Sequence, residues 1–273
     1  TTMFELLGSM GAEILLNENM DFTIATNNLK EKEARYELVK TMRASILVLG
    51  PLVAKYGEAK IALPGGCAIG SRPVNYHLDA LEQLGATITL KNGYIEASAK
   101  KLIGSKIKFD GITVTGTENI MMAACLAEGT TTLTNVAKEP EIIDLAEFLN
   151  KMGAKISGAG SDEITIEGVE RLYGADHSIP ADRIEAGTYL VAAAVTKGEI
   201  KINGINPDRL IKVLDKLIET GAKVETSEDS ISLTMNKDKP KPVDITTAPF
   251  PEFPTDMQAQ FSVINALANG VSN

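Results

Sequence analysis

Residues 63–73, LPGGCAIGSRP, place one of the chain's two cysteines among three glycines and shortly before an arginine. Gly65, Gly66 and Gly70 remove side chains around Cys67, so backbone amides can approach an anion. Arg72 adds a fixed positive charge, and a thiol close to amides and a cation is favoured as its thiolate. The chemistry this suits is a thiol presented to an anionic substrate on a mobile loop. A plain glycine-rich turn with an incidental thiol fits the same residues.

Two further residues invite a chemical reading. Arg43, in TMRAS, opens an apolar helical stretch, where its charge opposes the helix dipole unless an anion is held there. A solvent-exposed first-turn residue is the other reading, and Lys40 shares both. Asp256 lies in FPTDMQAQF, where Thr255 and Gln258 fit an N-terminal capping box and an aspartate complements the dipole. As a general base it would need desolvation or a substrate-imposed geometry.

The remaining candidates read as structural. His77 follows the Arg72 loop at a helix start, and His177 reads as surface. Glu139 and Glu141, in KEPEIID, read as a solvated first turn. Cys125, in MMAACLAEG, reads as a small hydrophobe inside a helix. Two histidines and two cysteines, far apart, offer no metal-ligand spacing, so no metal is expected. With neither a Walker loop nor a strand followed by GxGxxG, no nucleotide cofactor is expected either.

These residues are positioned by a repeat. FELLGSMGAEI, LDALEQLGATI, LAEFLNKMGAKI and VLDKLIETGAKV each run as a helix into a glycine (Gly11, Gly85, Gly153, Gly221) and then into alternating strand positions. Asn92-Gly93 supplies a tight hairpin turn. A second series of small-residue helices ends near Gly57, Gly129, Gly198 and Gly270. Together they define a period of about 70 residues, read as strand, helix, strand, helix, strand, strand. That pattern predicts an α/β architecture rather than a helical solenoid. The chain starts in the second half of one period and stops in the first half of another, so it is expected to be part of a longer protein. RLYGADHSIPADRIEAG, with Pro180, is the expected crossing between domains (1–180 and 181–273), and NKDKPKP reads as an exposed turn.

Composition narrows the partners. A net charge of -9 argues against nucleic acid, which needs a concentrated basic surface. No apolar run approaches the ~20 residues that span a bilayer, and TTMFELLGSMGAE lacks a signal peptide's pattern. The expectation is a cytoplasmic protein acting on an anionic small molecule.

Four segments, LPGGCAIGSRPVNYHLDALEQLGA, TENIMMAACLAEGTT, EPEIIDLAEFLNKMGAKISGAG and FPTDMQAQF, closely resemble the UDP-N-acetylglucosamine enolpyruvyl transferases of bacterial peptidoglycan synthesis. The resemblance runs through the whole chain in one register. It implies an inverted α/β barrel, with helices inside, built from such periods in two domains. It implies enolpyruvyl transfer from phosphoenolpyruvate to the 3-hydroxyl of UDP-N-acetylglucosamine. Cys67 then matches a general acid that forms an adduct with phosphoenolpyruvate and is alkylated by fosfomycin, and Asp256 matches an aspartate beside the sugar hydroxyl. Arg43 and Arg72 match phosphate-holding arginines. Pro73, Val74, Asn75, Tyr76 and His77 match a segment along the uridine, and Thr113, Val114 and Thr115 match a strand end near the diphosphate. The family's Lys-Asn pair near its N-terminus and a late arginine have no counterpart here, so these 273 residues alone are expected to turn over little. The sister transferase acting on shikimate 3-phosphate lacks the cysteine loop; a nucleotide-sugar-binding fragment without chemistry is the other alternative.

Overall fold

The computed structural model describes residues 2–19, 21–27, 29–64, 74–235 and 239–273. Cys67, Arg72 and Pro73 lie outside the described residues, as does part of NKDKPKP.

The elements follow the repeat. Helix α1 (Thr2–Ser9) leads into the antiparallel hairpin of β1 (Glu13–Leu16) and β2 (Phe22–Ala25). A full period follows: β3 (Glu33–Ala34), α2 (Tyr36–Val39), a 3-10 helix Arg43–Val48 running into α3 (Leu49–Tyr56), β4 (Glu58–Ala62), α4 (Asn75–Gln83), β5 (Thr87–Lys91) and β6 (Tyr94–Ser98). The next is β7 (Lys106–Lys108), α5 (Val114–Ala124), β8 (Thr130–Thr134), α6 (Pro140–Lys151), β9 (Lys155–Ser157) and β10 (Glu163–Glu167). Then come α7 (Arg183–Val195), β11 (Glu199–Asn203), α8 (Ile211–Glu219), β12 (Lys223–Thr226) and β13 (Ser230–Thr234). A 3-10 turn, Thr255–Met257, opens α9 (Gln258–Leu267).

Both complete periods make the same sheet, in orders β3-β4-β6-β5 and β7-β8-β10-β9. The first pair in each is parallel and the others antiparallel. The physical reason is connection length: helices carry the chain back for the parallel pair, whereas the last two strands are joined directly. Lys91 pairs with Tyr94 across Asn92 and Gly93, which take φ of 51° and 79°, the left-handed pair that a two-residue hairpin requires. Gly11, Gly85, Gly153 and Gly221 have φ between 91° and 103°, as helix-ending glycines should. In the second series Gly57 does the same, Gly129 takes a positive φ of 89° just before β8 rather than at the end of α5, and at the third copy Lys197 (φ 59°) takes the left-handed position in place of Gly198.

The chain forms two compact units, Thr1–Ala137 with Leu145–Asp176, and Lys138–Asp144 with His177–Asn273. In the first, α5 is an interior helix. Thr117, Asn119, Ile120, Met121, Ala123 and Ala124 are buried around it, and it is wrapped by Arg43–Val48, α3, α4, β8 and β10. One face of each strand is apolar: Leu133 of β8 and Ile164 and Ile166 of β10 are buried on the side of α5, and Ile95 and Ala97 are buried on β6, which packs on α3. In the second, Leu190, Leu214, Leu217, Leu233, Met257 and Phe261 form the core, with Phe253 edge-on to Phe261 at 5.0 Å. The expected helices-inside arrangement is thus present within the first unit. Among the described residues the strands form open sheets, none closed on itself.

Candidate functional site

Three helix starts meet in the first unit. Thr113, expected at a strand end, is instead the N-cap of α5. Its backbone is extended (φ -139°, ψ 118°), and its Oγ1 accepts from the Gly116 amide at 3.2 Å. The alternation in ITVT imitates a strand, but the hydroxyl meets the orphan amide three residues on and the chain turns helical. Val114 and Thr115 therefore lie in the first turn of α5, where free amides and the dipole favour an anion.

The start of α4 supplies Val74, Asn75, Tyr76 and His77. Val74 caps the helix without a side-chain bond and is buried, Asn75 is exposed and Tyr76 half-buried. The Tyr76 hydroxyl lies against Gly111: a Cβ there would sit 2.6 Å from it. His77 is an interior residue, 1% exposed. Its Nδ1 lies 2.9 Å from Asn119 Nδ2 and its Nε2 3.3 Å from Thr115 Oγ1. Burial pushes its pKa down to about 4, helped by the positive charge of Arg43.

Arg43 opens the 3-10 helix that leads into α3, half-buried and close enough to His77 to act on it electrostatically. Lys40 is different: it ends α2 and pairs with exposed Glu37. The structure thus brings together Arg43, the first turn of α4 and the first turn of α5. The arrangement offers a cation, helix-start amides and hydroxyls, the equipment for holding an anionic ligand.

Asp256 belongs to the second unit. It is exposed in the Thr255–Met257 turn, and the expected capping box is not made: Pro254 takes the N-cap position, with no side-chain cap there or at Met257. The proline ring presets the extended φ a cap position needs.

Two other readings, of His177 and of Glu139, are corrected. The His177 side chain is only 4% exposed, with Nε2 2.8 Å from Asp144 Oδ1. Glu139 is buried rather than solvated; its Oε1 lies 3.5 Å from the Phe250 amide, and its Oε2 has no hydrogen-bond partner among the described residues. Glu141 is exposed in the first turn of α6, as expected, and accepts from Arg183 Nε at 3.0 Å and Nη2 at 3.4 Å. Arg183 also lies 5.8 Å from the Phe250 ring centre and lines a pocket of about 160 Å³ with Arg209, Lys212 and Pro251. Cys125 is fully buried as expected, donating to the Met121 carbonyl at 3.2 Å, with its pKa pushed up to about 12.

Sequence reasoning missed Asn119 and Gly50. The signal was available: one amide in the run TENIMMAAC and one glycine in SILVLGPLV, each the odd residue of an apolar helix.

The family model described as EPSP synthase (3-phosphoshikimate 1-carboxyvinyltransferase) matches residues 1–273. The chain belongs to that family of enolpyruvyl transferases. Within it, the chain is 56% identical over 273 residues to a UDP-N-acetylglucosamine 1-carboxyvinyltransferase of Hydrogenovibrio crunogenus. It is 58% identical over 272 residues to one of Ruthia magnifica subsp. Calyptogena magnifica. All of this chain is covered in both, and it spans 65% of each relative's length. Among solved structures, the enolpyruvyl transferase NikO from Streptomyces tendae superposes with a TM-score of 0.82 at 23% identity, over 98% of this chain and 64% of that one. An EPSP synthase from Acinetobacter baumannii gives 0.64 at 20% identity, over 97% of this chain and 61% of that one. These two likenesses establish the fold. Among the described residues no helix is long and apolar enough to cross a membrane.

Proposed function

We propose that the full-length protein transfers the enolpyruvyl group of phosphoenolpyruvate to the 3-hydroxyl of UDP-N-acetylglucosamine, releasing phosphate, as the committed entry to peptidoglycan synthesis in the cytoplasm. The observation that carries this reading is the 56% and 58% identity, across the whole chain, to relatives named for that activity.

The reaction is an addition followed by an elimination. The sugar oxygen bonds to C2 of phosphoenolpyruvate, its proton leaves, and a proton arrives at the C3 methylene. Elimination then removes a C3 proton and expels phosphate. In this reading Cys67 is the acid toward C3, the partner in a covalent phosphoenolpyruvate adduct and the atom fosfomycin alkylates. Asp256 takes the hydroxyl proton; exposed as it is, it needs the substrate to bring the hydroxyl within hydrogen-bond reach. Arg43 and Arg72 hold phosphate groups, and Pro73, Val74, Asn75, Tyr76 and His77 form the segment on the uridine side. Thr113, Val114 and Thr115 lie toward the diphosphate, where the start of α5 favours negative charge. No cofactor enters any step.

The test is phosphate release by the full-length protein given both substrates, with the product's mass measured. Transfer to shikimate 3-phosphate in place of the nucleotide sugar would favour the sister activity. Fosfomycin should add its mass to the peptide containing Cys67, and Cys67→Ala should abolish that label. The 273 residues alone, two thirds of their relatives' length, should bind more readily than they turn over. Turnover equal to that of the full-length protein would refute this.

A further inference from the structure

Asn119, in the middle of α5, is anchored by two backbone groups whose roles cannot be exchanged. The Gly50 amide can only donate, so the atom 2.8 Å away is Asn119 Oδ1. The Ile46 carbonyl can only accept, so the atom 3.1 Å from it is Nδ2. The second Nδ2 proton is then left for His77 Nδ1 at 2.9 Å. A nitrogen that receives a proton there presents a bare lone pair, which puts the neutral ring's own proton on Nε2. Nε2 faces Thr115 Oγ1 at 3.3 Å. The Thr115 hydroxyl is accordingly an acceptor toward His77, and its own proton has no acceptor among the described residues.

We propose that Asn119 and His77 are positioning residues that set the hydrogen-bond polarity of Thr115, so that its hydroxyl donates outward to an anionic oxygen of the nucleotide sugar. The ligand's identity rests on the functional reading above, while the polarity rests on the geometry of five named groups. The chain of donors runs one way, from Asn119 Nδ2 to His77 Nδ1 and from His77 Nε2 to Thr115 Oγ1. A doubly protonated ring would set two protons against each other at Nδ1. The buried site and the Arg43 charge oppose that form as well. Thr115 occupies the first turn of α5, half-exposed. A donor aimed outward there adds to the helix-start amides, whereas a hydroxyl turned inward to donate to His77 would present only lone pairs to an anion. A hydrogen bond to a charged oxygen is about twice as strong as a neutral one.

The experiment uses the full-length protein with 15N-labelled histidine. At pH 7, long-range proton–nitrogen correlation should show His77 with Nδ1 bare and Nε2 protonated, the signal being assigned by its loss in His77→Gln. Calorimetry and steady-state kinetics should show Thr115→Val weakening UDP-N-acetylglucosamine binding roughly tenfold, with the loss in KM rather than kcat. Thr115→Ser should restore most of it. His77→Leu should show part of the same loss, and His77→Gln, whose amide nitrogen donates from the Nε2 position, should recover it. The double variant, His77→Leu with Thr115→Val, should bind no worse than Thr115→Val alone. A ring protonated on Nδ1 or on both nitrogens, fully additive losses, or unchanged affinity in Thr115→Val would overturn the proposal. Failure of the wild-type full-length protein to bind UDP-N-acetylglucosamine would overturn both the functional reading and the ligand half of this inference. An Nδ1-protonated ring in a protein that binds the sugar would overturn the polarity alone.

Discussion

The main-chain nitrogen of Gly50 donates to Asn119 Oδ1 at 2.8 Å, bringing the backbone of α3 against the side of α5. A Cβ at position 50 would lie 2.4 Å from that oxygen and 2.5 Å from the Asn119 carbonyl. Neither can retreat: one belongs to the helix backbone, the other is bound between α3 and the Ile46 carbonyl region. Gly50→Ala should therefore destabilise the protein. Overpacking costs about 1–3 kcal/mol and the strained hydrogen bond about 1 kcal/mol, against a gain of about 1 kcal/mol in helix propensity. The net expectation is a loss of about 2 kcal/mol in urea unfolding, and a gain in stability would refute the close approach.

Cys125 should be chemically silent in the native protein. It is fully buried, bound to the Met121 carbonyl, and its thiol is pushed up to about 12, so almost no thiolate exists in mildly alkaline buffer. Alkylation with iodoacetamide followed by peptide mapping should leave Cys125 unmodified over minutes and label it fully in denaturant. Labelling of Cys125 at equal rates in both conditions would contradict its burial.

The repeat was legible because its punctuation is local. A helix must end, and Gly11, Gly85, Gly153 and Gly221 occupy the left-handed conformation that ends it. What escaped the sequence depends on partners distant along the chain. His177 is internal because Asp144 reaches it, and Glu141 is engaged because Arg183 lies over it. Local patterns also misled. The Thr255–Gln258 spacing fits a capping box that Pro254 pre-empts; the resemblance, too, put Thr113 at a strand end although it caps a helix. At the candidate site, Arg43 and Thr113 to Thr115 could be named from resemblance, but the interior link from Asn119 through His77 to Thr115 could not. It exists only once α3, α4 and α5 are packed.

Arg183 and Glu141 should be coupled. The Arg183 side chain is 8% exposed and the Glu141 side chain 48%. Breaking a fully buried pair costs about 3–5 kcal/mol, but the open side of Glu141 lets water replace part of what is lost. Glu141→Gln, which keeps one acceptor, should cost about 1–2 kcal/mol. Arg183→Met with Glu141→Gln should cost less than the sum of the single changes, because neither then strands a charge. Chemical denaturation of all four proteins gives the coupling, and strict additivity would refute it.

His77 should give the folded state a dependence on acid. Its folded pKa is pushed down to about 4 from 6.5, first by burial and then by the facing Arg43. Between those values the unfolded chain binds a proton that the native ring does not, so stability rises with pH across this window. The stability is therefore complete above about pH 6.5, is lost as pH falls toward 4, and changes no further below that on account of this group. At about 1.36 kcal/mol per unit, the loss amounts to about 3 kcal/mol by pH 4. The measurement is a difference, which isolates this ring from the rest of the protein: urea unfolding of wild type and His77→Gln at about pH 7, 6, 5 and 4. The wild type should lose about 3 kcal/mol more than the variant over this range. Parallel curves would mean that the ring is protonated as readily in the native protein as in the unfolded chain, which the Asn119 amide at Nδ1 disallows.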